Sequence, residues 1–479
     1  MTNASPILLW TRNDLRLRNH AALDAALRQD APVIPVYIHD TVAPEIRQPG
    51  GAGRWWLHHA LAAHDAALRK RGSRLIILCG RTEDTLARLA QDCGAQAIYA
   101  LDSGTPWAAG IEDRVRAATD APLRLFGGST LFPRGGIRTG SGGVYKVFSP
   151  FWRACLATDP PPRPTAAPDS IAGPADWPEG VTPEALDLLP RPDWAGGLRA
   201  AWTPGEDGAQ ARLSSFLDSA VTRYKTQRDF PAAPATSRLS PHLAFGEIGP
   251  ADIWHATLDS IADADKSTGK NAWSFLRELG WRDFAHHLLG AFPDLPEQNM
   301  KRQFDDFAWR DDDEALSVWQ AGRTGYPIVD AGMRELWETG WMHNRVRMIV
   351  ASFLTKHLRI HWKAGEDWFW DTLVDADPAN NAMGWQWVAG SGPDAAPYFR
   401  IFNPMTQSAR FDPDGAYLRH WLPELAKLSD KDIHQPFAAR PGALDTAGVR
   451  LGETWPHPIV DHKTARASAL AAFEDIKAT

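Results

Sequence analysis

Apolar residues fall in short, nearly unbroken runs over the first quarter of the chain and at helical spacing over its second half, and this change of period divides the sequence. Ile7 to Trp10, Val33 to His39, Arg74 to Cys79, Ala97 to Leu101 and Leu123 to Phe126 have strand length and few polar interruptions, the pattern of strands covered on both faces. Arg54 to Arg71, Thr82 to Asp92 and Ile111 to Thr119 carry apolar residues three and four apart and predict helices between those strands. Strand and helix alternating at this spacing predict an α/β fold over residues 1–135, a doubly wound, Rossmann-like parallel sheet. Pro160, Pro161, Pro162, Pro164, Pro168 and Pro174 then break any period, so residues 136–204 are expected to form a largely irregular connector. From 205 to 479 the spacing is helical with few strand-like runs, which predicts an all-α second domain.

Composition narrows the class. A length of 479 residues accommodates two such domains, and 44% hydrophobic with 23% charged residues is globular composition. The 51 Lys and Arg against 58 Asp and Glu leave a net charge of −7, so any nucleic-acid partner has to be met by a local basic surface. Cys79, Cys93 and Cys155 are too few for a disulfide framework or a four-cysteine iron–sulfur cluster and suggest a reducing compartment. The apolar run from Pro6 to Trp10 is shorter than a signal-peptide core or a membrane span, so a cytoplasmic protein without membrane association is expected. Tryptophan is the outlier, with 22 residues crowded toward the second half.

Several constellations could carry chemistry. No GxGxxG follows the first strand, and Gly50 to Trp56 does not replace it, so the usual dinucleotide fingerprint is missing. Thr236-Ser237-Arg238-Leu239-Ser240-Pro241 is a better anion site. Ser240 is placed to cap a helix starting at Pro241, and hydroxyls with Arg238 at such an N-terminus suit a pyrophosphate, although a plain helix cap explains the same residues. Glu278, Trp281 and Arg282 share one helical face; taken alone they are a surface ion pair beside a core tryptophan. Asn344 and Met348 share a face in the same way, where Asn344 alone reads as a satisfied amide. Asp375 and Asp377 precede Asn380, Asn381, Trp385 and Trp387. Paired acids suggest proton transfer or a metal, but no histidine cluster accompanies them, so no metal site is expected and hydrogen bonds to a ribose or flavin ring suit them better.

Tyr145 to Trp152, Thr236 to Pro241, Glu278 to Arg282, Gly325 to Asp330, Gly340 to Arg345 and Asn381 to Trp387 occur in order, and through them the chain resembles the DNA photolyase/cryptochrome family over nearly its whole length. The resemblance implies an N-terminal antenna domain and a helical domain that holds bent FAD without a covalent link, reduced in the active form. It places Tyr224, Thr236, Ser237, Arg238, Leu239, Ser240, Asp375 and Asp377 around the cofactor, with Arg347 paired to Asp375 near the isoalloxazine and Asn381 facing its N5. It implies an electron route through Trp385, Trp362 and Trp309; core packing is the ordinary role of any one tryptophan, and the motif match alone sets these three apart. For damaged DNA it implies contacts from Arg228, Glu278, Trp281, Arg282, Asn344, Arg345, Met348, Trp387 and Gln407.

The activity so implied is light-driven repair of cyclobutane pyrimidine dimers flipped out of ultraviolet-damaged DNA, by a monomer that needs no protein partner. Relatives acting on the pyrimidine (6-4) photoproduct carry histidines where Asn344 and Met348 stand, and His343 is one position off and points elsewhere on the helix. Plant-type cryptochromes, blue-light receptors that signal through a protein partner, commonly have aspartate at the position of Asn381. Gly50 to Leu61 and Leu276 to Leu289 look closest to the bacterial branch allied to plant cryptochromes, class III, with class I open. A methenyltetrahydrofolate antenna is expected, with a deazaflavin as the alternative; the surroundings of Glu112 do not match closely enough to transfer ligands.

Overall fold

The computed structural model describes residues 5–394 and 399–478. Five parallel strands, β1 (Ile7–Thr11), β2 (Val33–His39), β3 (Ile76–Cys79), β4 (Ala97–Leu101) and β5 (Leu123–Phe126), lie in the order β3-β2-β1-β4-β5. All five residues of central β1 are buried, and Ile7 sits opposite Val33 on one side and Ala97 on the other. Helices α1 (Ala21–Leu27), α2 (Gly51–Arg69), α3 (Thr82–Cys93) and α4 (Ala108–Ala118) make the crossovers. Alternate residues Leu8, Trp10, Ile34 and Val36 form one face, covered by Leu86 and Leu89 of α3 and Ile111 and Val115 of α4. The doubly wound sheet is therefore present. The sequence had not shown α1, whose seven residues, AALDAAL, are too short and too alanine-rich to display a stripe. The winding runs outward from β1 to β3 and then restarts at β4, so the carboxyl ends of β1 and β4 flank a switch point.

Within the expected connector the proline-rich stretch forms neither helix nor strand, and a helix precedes it. Phe148, Phe151, Trp152 and Cys155 are spaced to bury one face of α5 (Phe148–Leu156), which packs on the helix Lys266–Ala291. There the Trp152 indole lies on Gly280, where an added Cβ would approach Trp152 Cε3 to 2.5 Å. By packing, the chain divides into two compact units, one of Met1–Thr222, Ser237–Pro293 and Val374–Ala379, the other of Arg223–Thr236, Asp294–Leu373 and Asn380–Thr479. The divisions by secondary structure and by packing differ, since helical segments from the later sequence join the unit that holds the sheet.

The second unit is helical. Its Gly325 to Asp330 motif is a folding device: the buried Asp330 carboxylate accepts from the Thr324 N–H and hydroxyl and from the Gly325 N–H, and burial pushes its carboxyl up to about 7. Among the described residues no helix is long and apolar enough to cross a membrane.

Candidate functional site

In the second unit, the helix Trp362–Thr372 carries three side chains that organise the rest. Glu366 is fully buried and accepts both N–H bonds of Asn381, through its carbonyl oxygen at 3.0 Å and its Oε1 at 2.7 Å. Since both partners are acceptors, the amide nitrogen has to face them, and Asn381 has only its oxygen to offer elsewhere. On the other side Lys363 donates to Glu366 Oε2 at 2.9 Å and to Asp367 at 2.8 Å, with Glu297 at 3.4 Å. Sequence reasoning missed Glu366 and Lys363, because a buried acid in a helix looks like any surface acid until the fold is known.

Trp362, Trp385 and Trp309 run from buried to partly exposed. Trp362 is fully buried and donates its indole N–H to Asn299 at 2.7 Å. Gly365, one helical turn on and hence on the same face, receives Trp385; an added Cβ would meet Trp385 Cη2 at 2.1 Å. Trp385 further packs edge to face on Phe369 at 5.0 Å. Trp309 reaches the same helix through His361, whose ring lies 5.0 Å from Trp309 and 5.3 Å from Trp362. His361 caps the helix by accepting from the Lys363 N–H, and burial pushes its imidazole down, toward the neutral form.

Next, the helix Asn344–Ser352 brings Asn344 and Met348 to one face, with Asn344 exposed. His343 precedes it as the N-cap, buried, accepting from the Arg345 N–H, and burial pushes its imidazole down to about 4. It therefore points away from that face, as its register predicted. Arg345 is engaged: it pairs with Asp229 at 2.9 Å and lies 4.4 Å over the Phe411 ring. Arg228 stands over the Tyr224 ring at 5.2 Å, and Arg347 donates to the Met342 carbonyl at 2.7 Å. Trp387 is half-buried with its N–H on the Asp394 carbonyl, and Gln407 is half-buried on the helix Pro404–Phe411.

The first unit holds the remaining residues. In the loop after Thr236, Arg238 has φ +52° and Leu239 is right-handed, a pairing that turns successive backbone N–H groups toward one point and suits a phosphate. The expected cap by Ser240 is absent: the helix Ser240–Ala244 begins one residue early, Leu239 takes the cap position, and no side chain bonds the cap. Asp377 instead caps the helix Pro378–Ala389 through the Ala379 N–H, with His286 Nε2 at 3.2 Å; Asp375 is buried three residues before that helix.

Trp281 stacks on Phe148 at 3.7 Å with planes 9° apart and meets Phe284 edge to face at 5.9 Å; Glu278 is half-buried one turn before it. Arg282, expected at DNA, donates to the Ser129 carbonyl at 2.7 Å, a tie to the loop after β5. It joins Arg16, His286, Asn13, Ser103 and Ser129 around a polar cavity of about 20 Å³ at the carboxyl ends of β1, β4 and β5, room for one water. Glu112 is buried and paired with Arg12 at 2.7 Å.

Residues 7–169 match the family model described as DNA photolyase, and residues 275–475 match the FAD binding domain of DNA photolyase. The chain belongs to the DNA photolyase/cryptochrome family and carries its FAD-binding domain. Within the family it is 49% identical to the deoxyribodipyrimidine photo-lyase of Agrobacterium fabrum, over 99% of each chain. It is 34% identical to cryptochrome-1 of Arabidopsis thaliana, over 96% of this chain and 69% of the relative. Among solved structures, a bacterial class III photolyase from Agrobacterium tumefaciens superposes with a TM-score of 0.95 at 49% identity, covering 100% of this chain and 99% of that one. The cryptochrome of Synechocystis sp. PCC6803 gives 0.88 at 30% identity, covering 98% and 100%.

Proposed function

We propose that this protein is a class III cyclobutane pyrimidine dimer photolyase, a cytoplasmic enzyme that repairs ultraviolet-damaged DNA in light as a monomer. Reduced FAD, when excited, supplies the electron that opens the dimer and recovers it afterwards. The fold does not separate repair from signalling, since both kinds of relative share it. The observation that carries the reading is the Asn381 amide: with both N–H groups bound to Glu366, its oxygen is an acceptor, which favours a flavin protonated at the facing nitrogen, the reduced form repair needs.

The chain's other residues take roles consistent with this. Tyr224, the Thr236 to Ser240 loop, Arg347, Asp375 and Asp377 hold the cofactor, the backbone at Arg238 and Leu239 taking phosphate. Trp281 and Trp387 wall the extruded bases, and Glu278 and Asn344 bond their polar edges. Trp309 to Trp362 to Trp385 refills an oxidised flavin, its partly exposed end open to solvent donors. As antenna, a methenylated folate is favoured on the family resemblance alone, with a deazaflavin as the alternative.

The test is repair of a thymine-dimer oligonucleotide by FAD-loaded, dithionite-reduced protein, under blue light and in darkness. Repair in light alone is expected. Light-independent DNA binding with no repair by fully reduced protein would favour a signalling receptor.

A further inference from the structure

Lys363 has no place in the scheme above, yet it is bonded to the residue that sets the Asn381 amide. Its ammonium lies 2.9 Å from Glu366 Oε2, while Glu366 Oε1 lies 2.7 Å from Asn381 Nδ2, so three side chains run in line from a partly exposed cation to the buried amide. Glu366 has no exposed surface, and burying a carboxylate is costly unless a cation lies beside it. An ionised Glu366 can only accept, and so it can bond the nitrogen end of the amide but not the oxygen end. Asp367 and Glu297 flank Lys363 and hold the ammonium in place.

We infer that Lys363 is a positioning residue: acting through Glu366, it keeps the Asn381 oxygen turned toward the flavin and so biases bound FAD toward its reduced form. This rests on the reading that Asn381 meets the flavin. Without the ammonium, Glu366 Oε2 loses its charged partner, the carboxyl is no longer held in place and Oε1 loosens its hold on the amide nitrogen, leaving the Glu366 backbone carbonyl, at 3.0 Å, to oppose rotation of the amide alone. In the fraction that rotates, an N–H faces the flavin nitrogen, which favours the unprotonated, oxidised flavin instead.

The experiment uses the full chain loaded with FAD and measures the equilibrium between oxidised and two-electron-reduced flavin against a dye of known potential. Dithionite supplies the electrons and the buffer the proton. FAD content of each variant is measured first. Lys363→Met and Glu366→Gln should each shift the equilibrium toward oxidised flavin roughly tenfold, the factor for one hydrogen bond of ordinary net strength. Lys363→Arg keeps the cation and should stay close to the parent. The double variant should shift no further than Glu366→Gln alone, because both changes act through one bond. Asn381→Ala separates the two ideas. If it shifts the equilibrium and Lys363→Met does not, the role of Lys363 is overturned while the reading of Asn381 stands. If Asn381→Ala shifts nothing, that reading fails and the inference with it. Equal shifts in Lys363→Met and Lys363→Arg would assign the effect to packing rather than charge and also overturn it. Lys363→Gln serves as a second neutral variant if Lys363→Met does not retain FAD.

Discussion

Gly365→Ala tests whether the seating of Trp385 matters to electron transfer. A methyl at 365 would lie 2.1 Å from Trp385 Cη2, 2.4 Å from Cζ3 and 2.7 Å from Leu354 Cδ2. Ordinary carbon contact starts at about 3.5 Å, so the indole or the helix has to retreat by more than about 1 Å. Overpacking of this kind costs about 1–3 kcal/mol, and replacing a helical glycine returns about 1 kcal/mol, leaving a net loss of about 0–2 kcal/mol. The assay compares blue-light photoreduction of oxidised FAD with repair by dithionite-reduced protein, using Trp385→Phe as reference. Photoreduction should slow in both variants because the residue proposed to stand next to the cofactor is displaced or less oxidisable, while repair by pre-reduced protein survives. Photoreduction at the parent rate in Gly365→Ala, with the stability loss present, would show that transfer tolerates the displacement. An unchanged rate in Trp385→Phe would remove the indole from the path altogether.

Trp281→Ala should weaken binding to dimer-containing duplex roughly five- to a hundredfold, the effect of losing one stacking partner, with little effect on intact duplex; equal losses on both would refute the pocket. Arg282→Ala should cost about 1–3 kcal/mol of stability by stranding the Ser129 carbonyl and leave the salt dependence of DNA binding alone; a shallower dependence would show that Arg282 does meet phosphate. His343 is held neutral in the fold with its imidazole pushed down to about 4, against about 6.5 when unfolded, so its contribution is full above pH 6.5 and is lost as pH falls toward 4, by up to about 3 kcal/mol. His343→Asn keeps a good cap, so urea melts at pH 7 and pH 4.5 should differ less than in the parent; an undiminished difference would place the acid sensitivity elsewhere.

What the sequence disclosed and what it hid follow one physical line. Parallel strands are covered on both faces, so Ile7 to Trp10 and Val33 to His39 announce themselves as apolar runs; α1 does not, because alanines carry no contrast. Register is local, and that His343 lies off the face of Asn344 and Met348 was legible from its number alone. Partners are not local. Arg282 and Arg345 show only their charge in the sequence, while the groups that claim them, the Ser129 carbonyl and Asp229, lie more than a hundred residues away. Lys363 and Glu366, the partners that orient Asn381, were hidden for the same reason, and also because burial, which makes the Glu366 charge consequential, is a property of the fold.

The discontinuity of the first compact unit bears on how the protein is made. Its sheet is complete once β5 has left the ribosome, but the last segment of that unit, Val374–Ala379, emerges about 250 residues later. At the usual rate of synthesis that is roughly 10–50 s in which the sheet waits, part of its eventual packing missing. For that interval the nascent chain exposes apolar surface that the finished molecule covers, so the burden on chaperones should fall on the half-made polypeptide rather than on the released one.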